Sequence, residues 1–97
     1  MLKIILADNQ AIFRTGAAKV LAVEDDLRIV AQAENMEKMT MALEKFHATV
    51  MIFGADLHPD LPGVVEAGRK YKTKLVIIAE TGQDSRHYLS NGVNGVI

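Results

Sequence analysis

The 97-residue sequence lacks several features that would assign it to common functional classes. It contains no cysteine, which excludes disulfide bonds, thiolate zinc sites and cysteine nucleophiles. Tryptophan is also absent, and the formal net charge is only -1. A chain with so little net charge has no basic footprint for nucleic acid and no polybasic patch for a membrane surface.

The amino-terminal residues lack a targeting signal. The stretch MLKIILAD is apolar for only a few residues before an aspartate, which is too short for a signal peptide or a spanning helix. Since a cysteine-free chain also fits a reducing compartment, we expect a cytoplasmic protein. No glycine-rich phosphate loop and no serine nucleophile elbow are present, so neither a nucleotide cofactor nor hydrolase chemistry is indicated.

Short apolar runs recur along the chain and predict five β-strands. Their apolar residues are continuous and do not alternate strictly with polar ones, which is typical of parallel strands covered on both faces. The five runs are LKIILA (2–7), RIVAQA (28–33), TVMIF (49–53), KLVIIA (74–79) and GVI (95–97).

Helical periodicities separate these runs. A short fourth helix is expected within residues 84–92, closed by Gly92. The apolar residues expected to share one face are Phe13, Ala17, Val20 and Leu21 in the first helix, Met36, Met39, Leu43 and Phe46 in the second, and Val64, Ala67 and Tyr71 in the third. The alternating order predicts one α/β domain with an open, doubly wound, five-stranded parallel sheet.

A doubly wound sheet binds its ligands beyond the carboxyl ends of its strands, where the strand order reverses. The residues at that edge are Asp8 and Asn9 after the first strand, Gly54 to Asp56 after the third, and Ala79 to Thr81 after the fourth. These positions are therefore the candidate functional residues.

Three segments resemble a known family in register. They are KIILADNQAIFRTG (3–16), IVAQAEN (29–35) and NGVNGVI (91–97). Together they resemble the receiver domain of bacterial response regulators, in the LuxR/NarL/FixJ branch whose receivers precede a helix-turn-helix. The resemblance implies a flavodoxin-like receiver fold and a role in two-component signalling and transcription regulation.

The resemblance implies the phosphotransfer chemistry of receivers, which depends on a set of side chains that act together in one site. An aspartate at the end of the third strand accepts a phosphoryl group. With an acidic pair after the first strand, it also holds a Mg²⁺ ion that neutralises charge on that group. A hydroxyl residue ending the fourth strand and a lysine after the fifth bind the phosphoryl oxygens, and an aromatic residue on the fifth strand reports the switch.

This sequence departs from that set at most positions. Asp8 matches the first acid, whereas Asn9 stands at the second. Gly54 falls at the phosphoacceptor position, Ala79 at the hydroxyl position and Val96 at the aromatic position. These losses predict a degenerate, non-enzymatic pseudo-receiver with no catalytic residue and no cofactor.

Asp56 offers an alternative phosphoacceptor, with Asp8 and Mg²⁺, and a histidine kinase would then be a partner. It has the same strand parity as Gly54 and belongs to DLHPD, a remnant of the family's Asp-Leu-x-x-Pro. If the strand continued, however, its carboxylate would lie roughly 6 to 7 Å further along, outside the tolerance for in-line attack. We therefore expect a solvated loop aspartate. A small-ligand-binding α/β domain is a third alternative.

Receivers of this family continue past the fifth strand with a lysine loop and a fifth helix. By that analogy residues 1–97 form a truncated receiver domain that lacks its last helix, and only an absent carboxyl-terminal module would contact DNA. Control is then expected through a homodimer or a contact with another regulator. The expected contact surface is residues 84–97, with Asp84, Tyr88, Asn91 and Val96, although Tyr88 is equally compatible with core packing.

Overall fold

The computed structural model describes residues 1–79 and 85–97, arranged as alternating strands and helices. A one-turn 3-10 helix, Ala55–Leu57, follows the third strand. The elements are β1 (Leu2–Ala7), α1 (Ala11–Ala22), β2 (Leu27–Ala33), α2 (Met36–Phe46), β3 (Val50–Gly54), α3 (Leu61–Tyr71), β4 (Lys74–Ile78), α4 (Ser85–Ser90) and β5 (Gly95–Val96). The predicted positions Thr81 and Asp84 lie outside the described residues.

The five strands form one parallel sheet in the order β2-β1-β3-β4-β5. The apolar runs become its strands, and the central ones are fully buried on the face that α2 and α3 cover. Ile5, Met51, Phe53 and Ile77 are all completely buried. This architecture confirms the predicted α/β class and the doubly wound, receiver-like sheet.

Most of the core lies between the sheet and the helices α2 and α3, which contact each other. Met39 and Leu43 of α2 are fully buried, as predicted, and Val64 of α3 is 5% exposed. Asn35 fixes the start of α2, because its side-chain oxygen accepts a hydrogen bond from the backbone N–H of Lys38 at 2.9 Å. No helix in the described part of the chain is long and apolar enough to cross a membrane.

Helix α1 lies on the other face of the sheet, and its predicted apolar stripe, which lines one groove, is only partly covered. None of its residues is buried, and Val20 remains 69% exposed. The reason is an apolar groove of about 700 Å³ beside α1, bordered by Ile52, Ile78 and Ile97, which no other described element fills. The four residues of the predicted stripe share one face, but only part of that face has a surface to pack against.

Two valines on different helices test this description of the core. We expect Val64→Ala to lower the free energy of unfolding by about 2 kcal/mol, because it removes two buried methyl groups. Val20→Ala should change it by less than about 0.5 kcal/mol, because the side chain is exposed and alanine favours helix. Urea unfolding followed by circular dichroism measures both, and equal losses would contradict the placement of α1.

Candidate functional site

A polar crevice of about 470 Å³ lies at the carboxyl ends of β1, β3 and β4. It brings together most of the positions selected from the sequence. Its lining residues are Asp8, Gln10, Phe13, Gly54, Asp56, Ile78 and Ala79. Asn9 is exposed beside this crevice without lining it.

Asp8 is held rigidly directly after β1. Its side chain is 5% exposed, and Oδ1 accepts a hydrogen bond from the backbone N–H of Gln10 at 2.8 Å. The backbone N–H of Asp8 donates to the carbonyl oxygen of Ala33 at 3.0 Å, and its own carbonyl oxygen accepts a hydrogen bond from Arg14. These contacts leave Oδ2 directed towards the end of β3.

Gly54, the last residue of β3, faces these carboxylates at very close range. Its backbone is extended, with φ -83° and ψ 140°, so conformational freedom is not the reason for a glycine here. A Cβ atom built on Gly54 would lie less than 3.0 Å from both Oδ2 of Asp8 and Oδ1 of Asp56, a separation that real Cβ atoms essentially never show. The volume that a side chain at position 54 would need is therefore occupied by two carboxylates.

Asp56 reaches this volume because the strand does not continue past Gly54. The 3-10 turn closes with a hydrogen bond of 3.0 Å from the backbone N–H of His58 to the carbonyl oxygen of Ala55, and His58 has a positive φ of 50°. The turn folds Asp56 back over the strand end. The expectation that its carboxylate lies further along an extended strand is wrong, and so is that of a solvated loop residue, because its Oδ1 is buried.

The other predicted positions lie directly after β4, in or directly after α4, and on β5. Ala79 lies beside β5, donating its backbone N–H to the carbonyl oxygen of Ile97 at 3.1 Å. Asn91 is exposed and Val96 is half-buried. Tyr88 is only 6% exposed and belongs to the core cluster, which favours core packing over a surface contact.

Glu34, directly after β2, does not line the crevice, and the hydrogen bond and charge of Lys38 hold the pKa of its carboxyl below its ordinary value. Within residues 1–79 and 85–97, no group of three or more His, Asp or Glu side chains is arranged to hold a metal ion. Asp8 and Asp56 nevertheless supply two carboxylates, and Mg²⁺ is usually bound through only one or two, with water completing its coordination.

Two curated regulatory proteins are similar to this chain over almost its whole length. No family model matches the chain. The transcriptional regulatory protein DegU of Brevibacillus brevis is 27% identical over 103 residues, covering 99% of this chain and 43% of that protein. The oxygen regulatory protein NreC of Staphylococcus aureus is 24% identical over 102 residues, covering 99% of this chain and 47% of that protein. The chain thus spans less than half the length of these curated relatives.

A solved structure decides the fold. The signal receiver domain of the response regulator NarL from Mycobacterium tuberculosis superposes with a TM-score of 0.85 at 18% identity, covering 98% of this chain and 81% of that one. The chain has the receiver fold. The resemblance predicts the phosphoryl site of receivers at this crevice, with Gly54 at the acceptor position.

The crowding at Gly54 can be tested by adding a single carbon atom. We expect Gly54→Ala to lower the free energy of unfolding by about 1 to 3 kcal/mol, because both carboxylates must move. The loss should be smaller by at least about 0.5 kcal/mol when Asp56→Ala is already present, since residues in contact couple. Denaturant unfolding of the four proteins of this double-mutant cycle measures the coupling.

Gly16 provides the matched control for that cycle. It lies inside α1, and a Cβ atom built on it meets nothing within 4 Å. Gly16→Ala should raise the free energy of unfolding by about 0.8 to 1 kcal/mol through helix propensity alone. Additive effects of Gly54→Ala and Asp56→Ala would contradict the shared volume.

Proposed function

We propose that this chain is the receiver domain of a bacterial transcriptional regulator and that it acts through protein contacts, without accepting a phosphoryl group. The two curated relatives, one transcriptional and one oxygen-regulatory, match it along almost its whole length. The receiver fold supports the same assignment. The whole protein would carry an effector module outside these residues.

The observation that carries this proposal is that a glycine, Gly54, stands at the position where receivers have their phosphoacceptor aspartate. Gly54 has no side chain to phosphorylate, and two carboxylates occupy the space in front of it. The surrounding groups also offer little to a phosphoryl group, since Ala79 has no hydroxyl and Asn9 carries no charge. A domain built in this way gains no acyl phosphate at position 54, so its output must depend on what binds its surface.

The proposed contact surface is the outer face of α4 with the residues up to β5. Leu89 is 49% exposed there, and Asn91 two residues further on is also exposed. Buried Tyr88 anchors α4 against the core and holds this face in place. A second regulator or a second copy of the chain would contact Leu89 and Asn91.

A phosphorylation assay tests the proposal directly. After incubation with acetyl phosphate and Mg²⁺, intact-mass spectrometry should show the unmodified chain, because glycine cannot form an acyl phosphate. Beryllofluoride with Mg²⁺ should likewise leave the amide NMR spectrum unchanged. A receiver with aspartate at the end of its third strand, treated in parallel, provides the positive control. A stoichiometric adduct on this chain would overturn the proposal.

A second function is favoured by the position of the Asp56 carboxylate beside Asp8. In this alternative an Asp56 oxygen attacks the phosphorus of the donor, a mixed anhydride forms at Asp56, and the donor's leaving group departs. Asp8 and Asp56 would hold a Mg²⁺ ion, which would neutralise charge on the phosphoryl group. The 3-10 turn after Gly54 makes this geometry available, whereas a continuing strand would not.

The alternative predicts a different mass spectrum. Acetyl phosphate should then add about 80 Da in a Mg²⁺-dependent reaction, the mass of one phosphoryl group. Asp56→Asn should abolish the adduct and Asp8→Asn should reduce it strongly. Asp60→Asn is the matched control, because Asp60 is exposed four residues further on and should leave the adduct unchanged. Labelling that survives Asp56→Asn would exclude this alternative.

A further inference from the structure

Opposite charges are fixed at two places along the amino-terminal end of the sheet, the end opposite the crevice. One is an acidic turn, formed by Glu24, Asp25 and Asp26, which leads into β2. The other is a basic crevice of about 430 Å³ where α3 ends and β4 begins. Its cationic lining residues are Arg69, Lys72 and Lys74.

A series of backbone hydrogen bonds fixes the relative position of the two charged features. The N–H of Leu2 donates to the carbonyl oxygen of Asp26 at 2.8 Å, and the N–H of Thr49 donates to that of Lys3 at 2.8 Å. The N–H of Lys74 then donates to the carbonyl oxygen of Thr49 at 2.9 Å. The acidic turn and the basic crevice therefore belong to one rigid edge.

The negative charge of the acidic turn is electrostatically unfavourable at its place in the fold. It follows the carboxyl-terminal end of α1, where the helix dipole disfavours negative charge. All three carboxylates are exposed, and the described residues contain no ion pair that involves them. Val23, directly before the turn, is 75% exposed. Three exposed carboxylates without an ion pair among the described residues leave the turn available to a cationic surface.

The basic crevice has the complementary composition. Arg69 and Lys72 neutralise the dipole at the end of α3, which accounts for their presence. Lys74 lies on a strand, where the dipole argument does not apply. In the described part of the chain, no carboxylate forms an ion pair with any of the three cations. Val65 and Leu75 also line the crevice and give it an apolar component.

The spacing of the two features suits a two-fold symmetric contact. From β2 to β4 there are three strand spacings, about 14 Å. A two-fold axis passing between β1 and β3 places β2 of one copy opposite β4 of the other, and the reverse. Each acidic turn then meets the other copy's basic crevice. Met1 and Leu2, which are 78% and 43% exposed, lie between the two charged contacts.

We propose that two copies of this chain associate end to end in this way. The acidic turn of each copy enters the basic crevice of its partner, three carboxylates against three cations, and Val23 contacts the apolar lining. The contact is isologous, so it closes at a dimer and forms no filament. It leaves the crevice at Asp8 and Asp56 open and does not depend on whether that crevice accepts phosphate.

Charge reversal with rescue tests the proposal. The unaltered chain should be dimeric by sedimentation equilibrium at about 0.02 M salt and should dissociate towards monomer at about 0.5 M, because exposed charges are screened. The variants Asp25→Lys/Asp26→Lys and Lys72→Glu/Lys74→Glu should each weaken the dimer at least about tenfold, since like charges then face each other. An equimolar mixture of the two variants should restore a 1:1 dimer, because both contacts are again complementary.

The matched control is Glu34→Lys/Glu37→Lys, which makes the same change in charge as the acidic-turn variant but at the opposite end of the sheet. It should leave the dimer unchanged, and circular dichroism should show that all variants are folded. Three results would overturn the proposal: a monomeric chain at low salt up to about 1 mM, dimerisation unaffected by reversal, or a mixture of folded variants that stays monomeric. None of them bears on the phosphorylation assay, so failure here is distinguishable from failure of the proposed function.

Discussion

The volume beside the Cα atom of Gly54 is the constraint on which the site depends. Pairing of β1 with β3, in which Ala7 lies opposite Phe53, forces the residues that follow the two strands to emerge side by side. Asp8 is fixed there by its hydrogen bond from Gln10, and the 3-10 turn adds the carboxylate of Asp56. Position 54 must be small because its neighbours occupy the space, although its backbone angles would suit any residue.

Local patterns predicted the strands well because a central strand of a parallel sheet has apolar residues on both faces. β1 was predicted with the bounds that the structure has, and β4 differs by one residue. The burial of α1 depends on more than its own periodicity. Whether Val20 is covered depends on which element lies across the groove, and periodicity contains no information about that element.

The position of Asp56 was missed for a related reason. Strand parity placed it correctly on the side of Gly54 but assumed an extended backbone, whereas the chain turns directly after β3. The available signal was the group Asp56-Leu57-His58-Pro59, since a proline restricts the residue before it and often accompanies a turn. In the structure His58 adopts a left-handed conformation that ends the 3-10 turn. The turn after β3 therefore decides that the carboxylates of Asp8 and Asp56 lie side by side.

Binding of a phosphoryl group and association with another protein are two different sources of free energy for control. A ligand shifts a conformational equilibrium only by the difference in its affinity for the two states. If no phosphoryl group binds beside Asp8, the strand ends supply no such difference, and the free energy for control must come from association. Association through exposed charges responds to protein concentration and ionic strength, whereas association through an apolar surface such as Leu89 responds mainly to the partner's shape. A receiver fold without acyl-phosphate chemistry can therefore still be controlled.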